Sequence, residues 1–357
     1  MFLVLRFIFI IIVTTSLFLA VDLFFGRSIL SLLNKNTDGK VILNYKDEKL
    51  GLIFKKNQKI TNAQWGPDYY IFCTNDLGLK SKCDSKSLNS YKYAFIGDSF
   101  TEGIGLKYED TFVGLFDEKY GNTINFAISG TSPIIHFKRL KYFLNEKNIE
   151  IKNLFLFFDL TDFEDENGWK SQKIDYLDNY EIDMSKEKYK LFLKNNLPIT
   201  YNVLLNIWWN YLRGLLVKEN SHIRYNDKRY DWDYKNINEI NDYFLKKKIL
   251  SKSINDIIQL SIDNNFKLHL VIYPHPGTIM YLKDTNNSNN ISLINELCGS
   301  NDACNLINLY DDFYNELKNL EKINLINKYY FKGDLHFNKQ GNKFVYKNFI
   351  SKLDINK

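Results

Sequence analysis

The chain is poor in the residues that do most protein chemistry, with five histidines and four cysteines among 357 residues. It also lacks any dense basic run. Lys and Arg number 47 against 42 Asp and Glu, and lysines alternate with Asp, Glu and Asn, so the net charge of +5 is spread thinly. That dispersion argues against a nucleic-acid partner, which calls for a basic patch or stripe. The cysteines fall into two close pairs, Cys73 with Cys83 and Cys298 with Cys304. Neither pair has the two-residue spacing of a zinc knuckle, which argues against a structural metal. Two short-range pairs suit two local disulfides in an oxidising compartment, although four cysteines allow three pairings and four free thiols are the alternative. No cofactor and no metal is expected.

What the chain does have is apolar surface to bury. A hydrophobic content of 45% over this length supports one large core with a smaller helical accessory. The N-terminus is distinct. Residues 7–21 carry no charge, follow Arg6, and run past Asp22 into Leu23, Phe24 and Phe25. A helix over residues 2–25 is just long enough to cross a bilayer. A signal peptide begins the same way, but the best cleavage site, after Ala20, has Phe18 where a small residue is wanted. Residues 1–26 therefore read as an uncleaved membrane anchor, with a buried core helix as the bland alternative. Arg6 on the short side favours a cytoplasmic N-terminus, Arg27 pulls the other way, and the main domain is expected in the periplasm or outside the cell.

After the anchor, residues 27–90 read as a polar stalk followed by an aromatic segment that packs on the main domain. From residue 91 onward, apolar runs alternate with helical spacing. Residues 93–96, 123–127, 154–158, 268–273 and 306–309 read as strands, and 108–120, 136–147, 246–264 and 342–353 as helices. Strands alternating with helices are the signature of a doubly wound α/β sheet, and fully apolar strands point to parallel pairing. Residues 164–242 exceed what a crossover needs and read as a helical insertion. Within it, Trp208 and Trp209 sit at helical spacing beside Leu204, Leu205, Ile207 and Leu212, which favours core packing over a sugar platform or a membrane surface.

One stretch organises the rest. Residues 93–105 read YAFIGDSFTEGIG: a buried strand stops at Gly97-Asp98-Ser99 and leaves a serine at the carboxyl edge of the sheet, where ligands collect in open α/β folds. A serine hydroxyl is a weak nucleophile until a base takes its proton. His336 is the best candidate, because it follows Asp334 in a late Gly-rich loop and one segment then supplies base and orienting carboxylate. Asp334 as a helix cap is the plain alternative. His275 also follows a strand but has no acidic companion in sequence, so it reads as a loop residue or a rim contact. His136, His222 and His269 have no companions either. The acidic run Asp159, Asp162, Glu164, Asp165 and Glu166 reads as a solvated, helix-capping turn in preference to a cation site.

Three blocks in order, Gly97-Asp98-Ser99 with Glu102-Gly103, residues 125–130 (NFAISG), and Asp334-Leu335-His336 with Gly341, resemble the SGNH hydrolase superfamily, also called GDSL-type esterases. The resemblance spans residue 91 to the C-terminus apart from the insertion. It implies a flavodoxin-like three-layer α/β fold with a parallel sheet, a Ser99–His336–Asp334 triad and no metal. It assigns the second oxyanion donor to the Gly130 N–H, beside that of Ser99. Where the family has Gly-x-Asn-Asp this chain has Asp159-Leu160-Thr161-Asp162, so the third donor falls on Thr161. The Asp-x-His spacing resembles polysaccharide-modifying branches, including proteins of alginate O-acetylation. The expected activity is thus ester hydrolysis or O-acyl transfer on an acylated cell-surface carbohydrate; the competing class is a non-catalytic carbohydrate-binding or assembly protein that has kept the fold.

Overall fold

Long apolar runs that alternate with amphipathic segments can be satisfied only if each strand is covered on both faces, and the chain folds accordingly. A computed structural model describes residues 2–33, 44–47, 50–65, 68–171, 196–207, 230–299 and 301–353. The described chain divides into two compact units, residues 1–38 with 182–221, and residues 39–181 with 222–357.

In the first unit, α1 (Phe2–Leu33) carries the apolar span Leu5–Gly26, whose 22 residues have a mean hydropathy of 2.5. Nearly all its described side chains are exposed, Asp22 and Gly26 excepted. The second described helix of this unit, Pro198–Ile207, lies in the expected insertion.

The second unit begins with two antiparallel hairpins, β1 (Asn44–Asp47) with β2 (Gly51–Phe54) and β3 (Lys59–Trp65) with β4 (Asp68–Cys73). The expected polar stalk is therefore structured in its second half. Alternate apolar residues drive this: Phe54, Ala63, Tyr70 and Phe72 form a small buried cluster with Ile128 from the main domain. The Cys73–Cys83 disulfide closes the loop that follows.

Then come β5 (Ser90–Ile96), α2 (Ser99–Glu102), a 3-10 turn at Tyr108–Asp110, α3 (Phe112–Tyr120), β6 (Thr123–Asn125), α4 (Pro133–Lys141) with a π turn at Tyr142–Glu146, and β7 (Glu150–Phe158). After α5 (Asp162–Ser171) and α6 (Pro198–Ile207), the chain continues into α7 (Tyr243–Asp263), β8 (Lys267–Ile272), α8 (Pro276–Tyr281), α9 (Asn289–Cys298), β9 (Cys304–Asn308), α10 (Tyr310–Glu316), α11 (Lys322–Tyr329) and α12 (Lys339–Ser351). The second disulfide, Cys298–Cys304, joins the end of α9 to β9.

The five strands from β5 onward form one sheet in the order β6-β5-β7-β8-β9, every neighbouring pair parallel. Counted from β5, this is the 2-1-3-4-5 order of flavodoxin-like sheets, whose switch point lies between the first and third strands. Alternation sorts the faces. Tyr93, Phe95, Phe155 and Phe157 share one face, where their rings meet Phe116 of α3 and Phe349 of α12. The other face presents the fully buried Ala94, Ile96, Leu154 and Leu156, and α4 and α5 pack on α7. The sheet is thus the middle of three layers.

Residues 164–242, expected as one insertion, divide differently. Phe163 of α5 stacks on Trp232 at 4.3 Å, and the Trp232 indole donates to the Leu160 carbonyl at 2.8 Å. Both ends of the segment are therefore core of the α/β unit, because large rings at Phe163, Tyr230 and Trp232 need full burial. Residues 172–195 and 208–229, with Trp208 and Trp209, lie outside the described residues.

Candidate active site

The site grows from the turn that ends β5. A Cβ on Gly97 would lie 2.2 Å from Thr101 Oγ1 and 2.9 Å from the Phe157 carbonyl oxygen, so only glycine lets the chain turn this close to β7. Asp98 then caps α2, accepting the Phe100 N–H at 2.9 Å. Ser99 is the first residue of α2, half-buried at the carboxyl edge beside the switch point.

From the other end of the chain, His336 Nε2 comes within 2.8 Å of Ser99 Oγ, and His336 Nδ1 lies 2.5 Å from Asp334 Oδ1. The loop that holds them is braced by its own backbone: Asp334 Oδ1 also accepts the His336 N–H at 2.9 Å, and the Phe331 N–H donates to the His336 carbonyl. Asn338, not Asp334, caps α12. Burial pulls the Asp334 carboxyl up, but the hydrogen bonds and charge of His336 outweigh it and hold it below the usual range. An ionised Asp334 accepts the hydrogen bond of the Nδ1–H, which keeps the proton on Nδ1 and leaves the Nε2 lone pair facing Ser99. Phe100 covers one side of the imidazole at 4.9 Å, and Trp65 of β3 meets it edge-on at 5.5 Å.

Gly130 lies in the loop after β6 with φ +76°, a conformation that favours glycine. Its neighbour Ser129 is gripped from α2: the buried Glu102 carboxylate accepts both the Ser129 N–H, at 2.7 Å, and the Ser129 hydroxyl. Lys80, itself buried, donates to the Gly103 and Leu106 carbonyls at 2.6 and 2.7 Å and fixes the chain just beyond α2. Burial pushes its ammonium down to about 8, against the pull of Glu102 and Glu109.

Thr161 is engaged elsewhere. Its hydroxyl and its N–H both donate to Asp159 Oδ1, at 2.5 and 2.8 Å, so the single hydroxyl proton is spent away from Ser99. The acidic run to which it belongs is not a solvated turn: Asp159, Asp162 and Glu166 are fully buried. Asp159 directly follows β7, and its other oxygen receives the Tyr273 hydroxyl at 2.9 Å and His275 Nε2 at 2.6 Å. His275 is accordingly no rim residue. It is buried and paired with a carboxylate supplied by the neighbouring strand. Glu166 substitutes for a local cap on α4, accepting the Ser132 hydroxyl and the Ile134 N–H. Among the described residues no His, Cys, Asp and Glu group is arranged to hold a metal ion.

The carboxyls beneath Ser99 divide their charge. Burial raises Asp159, but the His275 charge and its four donors reverse this and hold it well below the ordinary range. Burial and the Asp159 charge push Asp98 well above its ordinary value, and burial with the Asp98 and Asp159 charges does the same to Asp162. Asp98 Oδ2 is 3.1 Å from Ser99 Oγ. A hydroxyl has one proton, so the Asp98 carboxylate and the His336 imidazole compete for the Ser99 hydroxyl hydrogen.

No family model and no curated protein matches the chain. Similar solved structures include a GDSL-like lipase from Bacteroides thetaiotaomicron, 13% identical with a TM-score of 0.37 over 73% of this chain and 86% of that one. The acetyl xylan esterase AlAXEase is 17% identical with a TM-score of 0.39, over 73% and 99% of the two chains. TesA is 12% identical with a TM-score of 0.39, over 74% and 98%. At such scores the chemistry of the site has to be read from its own atoms.

Sequence reasoning placed Ser99, His336 and Asp334, and the structure brings these three together. It missed the His275–Asp159 pair and the Glu102 grip. The first had a usable signal, since both residues follow strands that a 2-1-3-4-5 sheet makes neighbours. The second had none beyond a carboxylate one turn after the serine.

Proposed function

We propose that the protein is a membrane-anchored serine hydrolase of the SGNH type that cleaves carboxylic esters outside the cytoplasm. The observation that carries the reading is the relay from Ser99 Oγ to His336 Nε2 and from His336 Nδ1 to Asp334. Ser99 attacks the ester carbonyl as His336 takes its proton. The imidazolium, oriented by Asp334, returns that proton to the departing alkoxide, and the acyl group stays on Ser99. Water, deprotonated by His336, then releases the acid; if a sugar hydroxyl takes the place of water, the same intermediate yields an O-acylated glycan.

The tetrahedral oxyanion is received by the N–H groups of Ser99 and Gly130, each worth about 3 kcal/mol in comparable sites. Thr161 supplies no donor in this reading, because its hydroxyl is committed to Asp159. The apolar α1 span and the two disulfides support an extracytoplasmic domain, and that location, with the Asp-x-His spacing, favours acylated surface glycans as substrates.

The diversion of Thr161 also favours a second reading, a carbohydrate-binding protein that keeps the fold without turnover. A fluorophosphonate probe separates the two. The hydrolase reading expects covalent labelling that disappears in Ser99→Ala; no labelling where a control esterase reacts would leave only the binding protein. Products formed from an acetyl donor with and without an oligosaccharide acceptor then distinguish hydrolysis from transfer.

A further inference from the structure

Helix α6 begins without a cap of its own. Leu197, at the capping position, has no side-chain acceptor, and Pro198 at the first helical position has no N–H. The next two amides are nevertheless satisfied, and by α1. Asp22 Oδ1 accepts the Ile199 N–H at 2.9 Å and Asp22 Oδ2 the Thr200 N–H at 2.7 Å. The contact is close-packed: Asp22 is 1% exposed, and a Cβ on Gly26, one turn further along α1, would lie 2.2 Å from Asp22 Oδ1 and 3.1 Å from Pro198.

Around this polar junction α1 is bare, with Leu23, Phe24 and Phe25 51–75% exposed. A carboxyl within an apolar span is costly in lipid unless it meets a specific partner, and the open amides at the start of α6 are such a partner. On α6, Val203 is 44% exposed, and the sequence from 198 to 217 holds a single charge, Arg213. Neither the bare residues of α1 nor Val203 has a protein surface over it among the described residues. The 22-residue apolar span, at 1.5 Å per residue, matches a hydrocarbon core of about 30 Å.

We propose that α6 is a second membrane-embedded element, docked on the anchor through the Asp22 cap, so that the insertion meets the lipid bilayer. This rests on the reading of α1 as a retained anchor. The geometry accounts for features otherwise unexplained: a carboxyl in an apolar span, a proline-initiated helix whose first amides are received by another helix, and a glycine where the two helices touch.

All four native cysteines are in disulfides, so an introduced cysteine is the only free thiol. The test is the full chain in phosphatidylcholine–phosphatidylglycerol liposomes with brominated acyl chains, carrying bimane on Val203→Cys. Phe18→Cys on α1 and Leu88→Cys on the α/β unit are the references. Emission from position 203 should be quenched to within about twofold of position 18, since both would lie in hydrocarbon. Quenching as weak as at position 88 overturns the proposal. Adding Asp22→Ala should weaken quenching at 203 by about twofold or more and leave 18 unchanged, whereas Asp22→Asn, whose one amide oxygen can still accept from the start of α6, should weaken it less. Quenching at 203 that ignores Asp22→Ala overturns the docking. Intact mass separates the two layers of inference: loss of residues 1–20 overturns anchor and proposal together, whereas an intact, membrane-bound chain with an unquenched position 203 overturns the proposal alone.

Discussion

His275 and Asp159 form a fully buried pair, Nε2 to Oδ2 at 2.6 Å, joining the chain beyond β8 to the end of β7 one strand from the nucleophile. Phe100 stands between His275 and His336, its ring 4.9 Å from each. The pair thus backs the site without touching Ser99. Removing one partner of a buried pair strands the other charge, at a cost of about 3–5 kcal/mol. His275→Ala should therefore lower stability by that order in urea unfolding, and His275→Gln, which can still donate to Asp159, by less. At a temperature where His275→Gln remains folded, fluorophosphonate should still label Ser99. Loss of labelling there, as in His336→Ala, would make His275 a second base.

This pair marks the limit of what the sequence discloses. Ser99, His336 and Asp334 were legible because each sits at a break in a strong periodic pattern, and because Asp334 and His336 share one short segment. The strands were legible because a parallel sheet buried on both faces needs continuous apolar runs such as residues 154–158. The acidic run misled because its local spacing fits capping, whereas the partners of buried Asp159 and Glu166 come from 116 and 34 residues away. Two helix starts behave alike: beyond its local Thr111 cap, α3 receives Asn342 Oδ1 at the Phe112 N–H from 230 residues away, and α6 takes Asp22. Such caps follow from tertiary packing, and no local propensity announces them.

Asp98 gives a sharper test of the nucleophile's surroundings. If its carboxyl is neutral and donates to Ser99 Oγ, an amide can do the same while its oxygen keeps the cap on Phe100. Asp98→Asn should hold kcat for a p-nitrophenyl ester within about tenfold, and Asp98→Ala, which loses both bonds, should cost about a hundredfold. Equal losses in the two variants would mean that an ionised Asp98 is what the site requires.

Glu102 acts at one remove from the reaction, through Ser129, on the placement of the Gly130 N–H. Loosening an oxyanion donor weakens transition-state binding more than substrate binding, so Glu102→Ala should lower kcat by about ten- to a hundredfold with KM nearly unchanged. Glu102→Gln keeps an acceptor for the Ser129 N–H and should fall between. A rise in KM at constant kcat would instead assign Glu102 to substrate binding.

Glu166 predicts a pH dependence of stability that is independent of catalysis. Burial pushes its carboxyl from 4.5 up to about 7, against the hydrogen bonds from Ser132 and Ile134. Between those values the folded protein holds a proton that the unfolded chain has released, so this group's contribution to stability falls as pH rises through the window. His136 acts in the opposite sense. Burial, and then the Arg139 charge, lower it from 6.5 to about 3, so over that range the unfolded chain binds the extra proton and stability rises with pH. Glu166→Gln retains an acceptor for the start of α4 and deletes only the first effect. The difference in stability between variant and parent, in which the His136 contribution cancels, should grow with pH by at most about 1.4 kcal/mol per unit. Urea unfolding of both proteins from about pH 4.5 to about pH 7 reads this directly. Parallel curves would mean that Glu166 is ionised in the folded protein throughout the range.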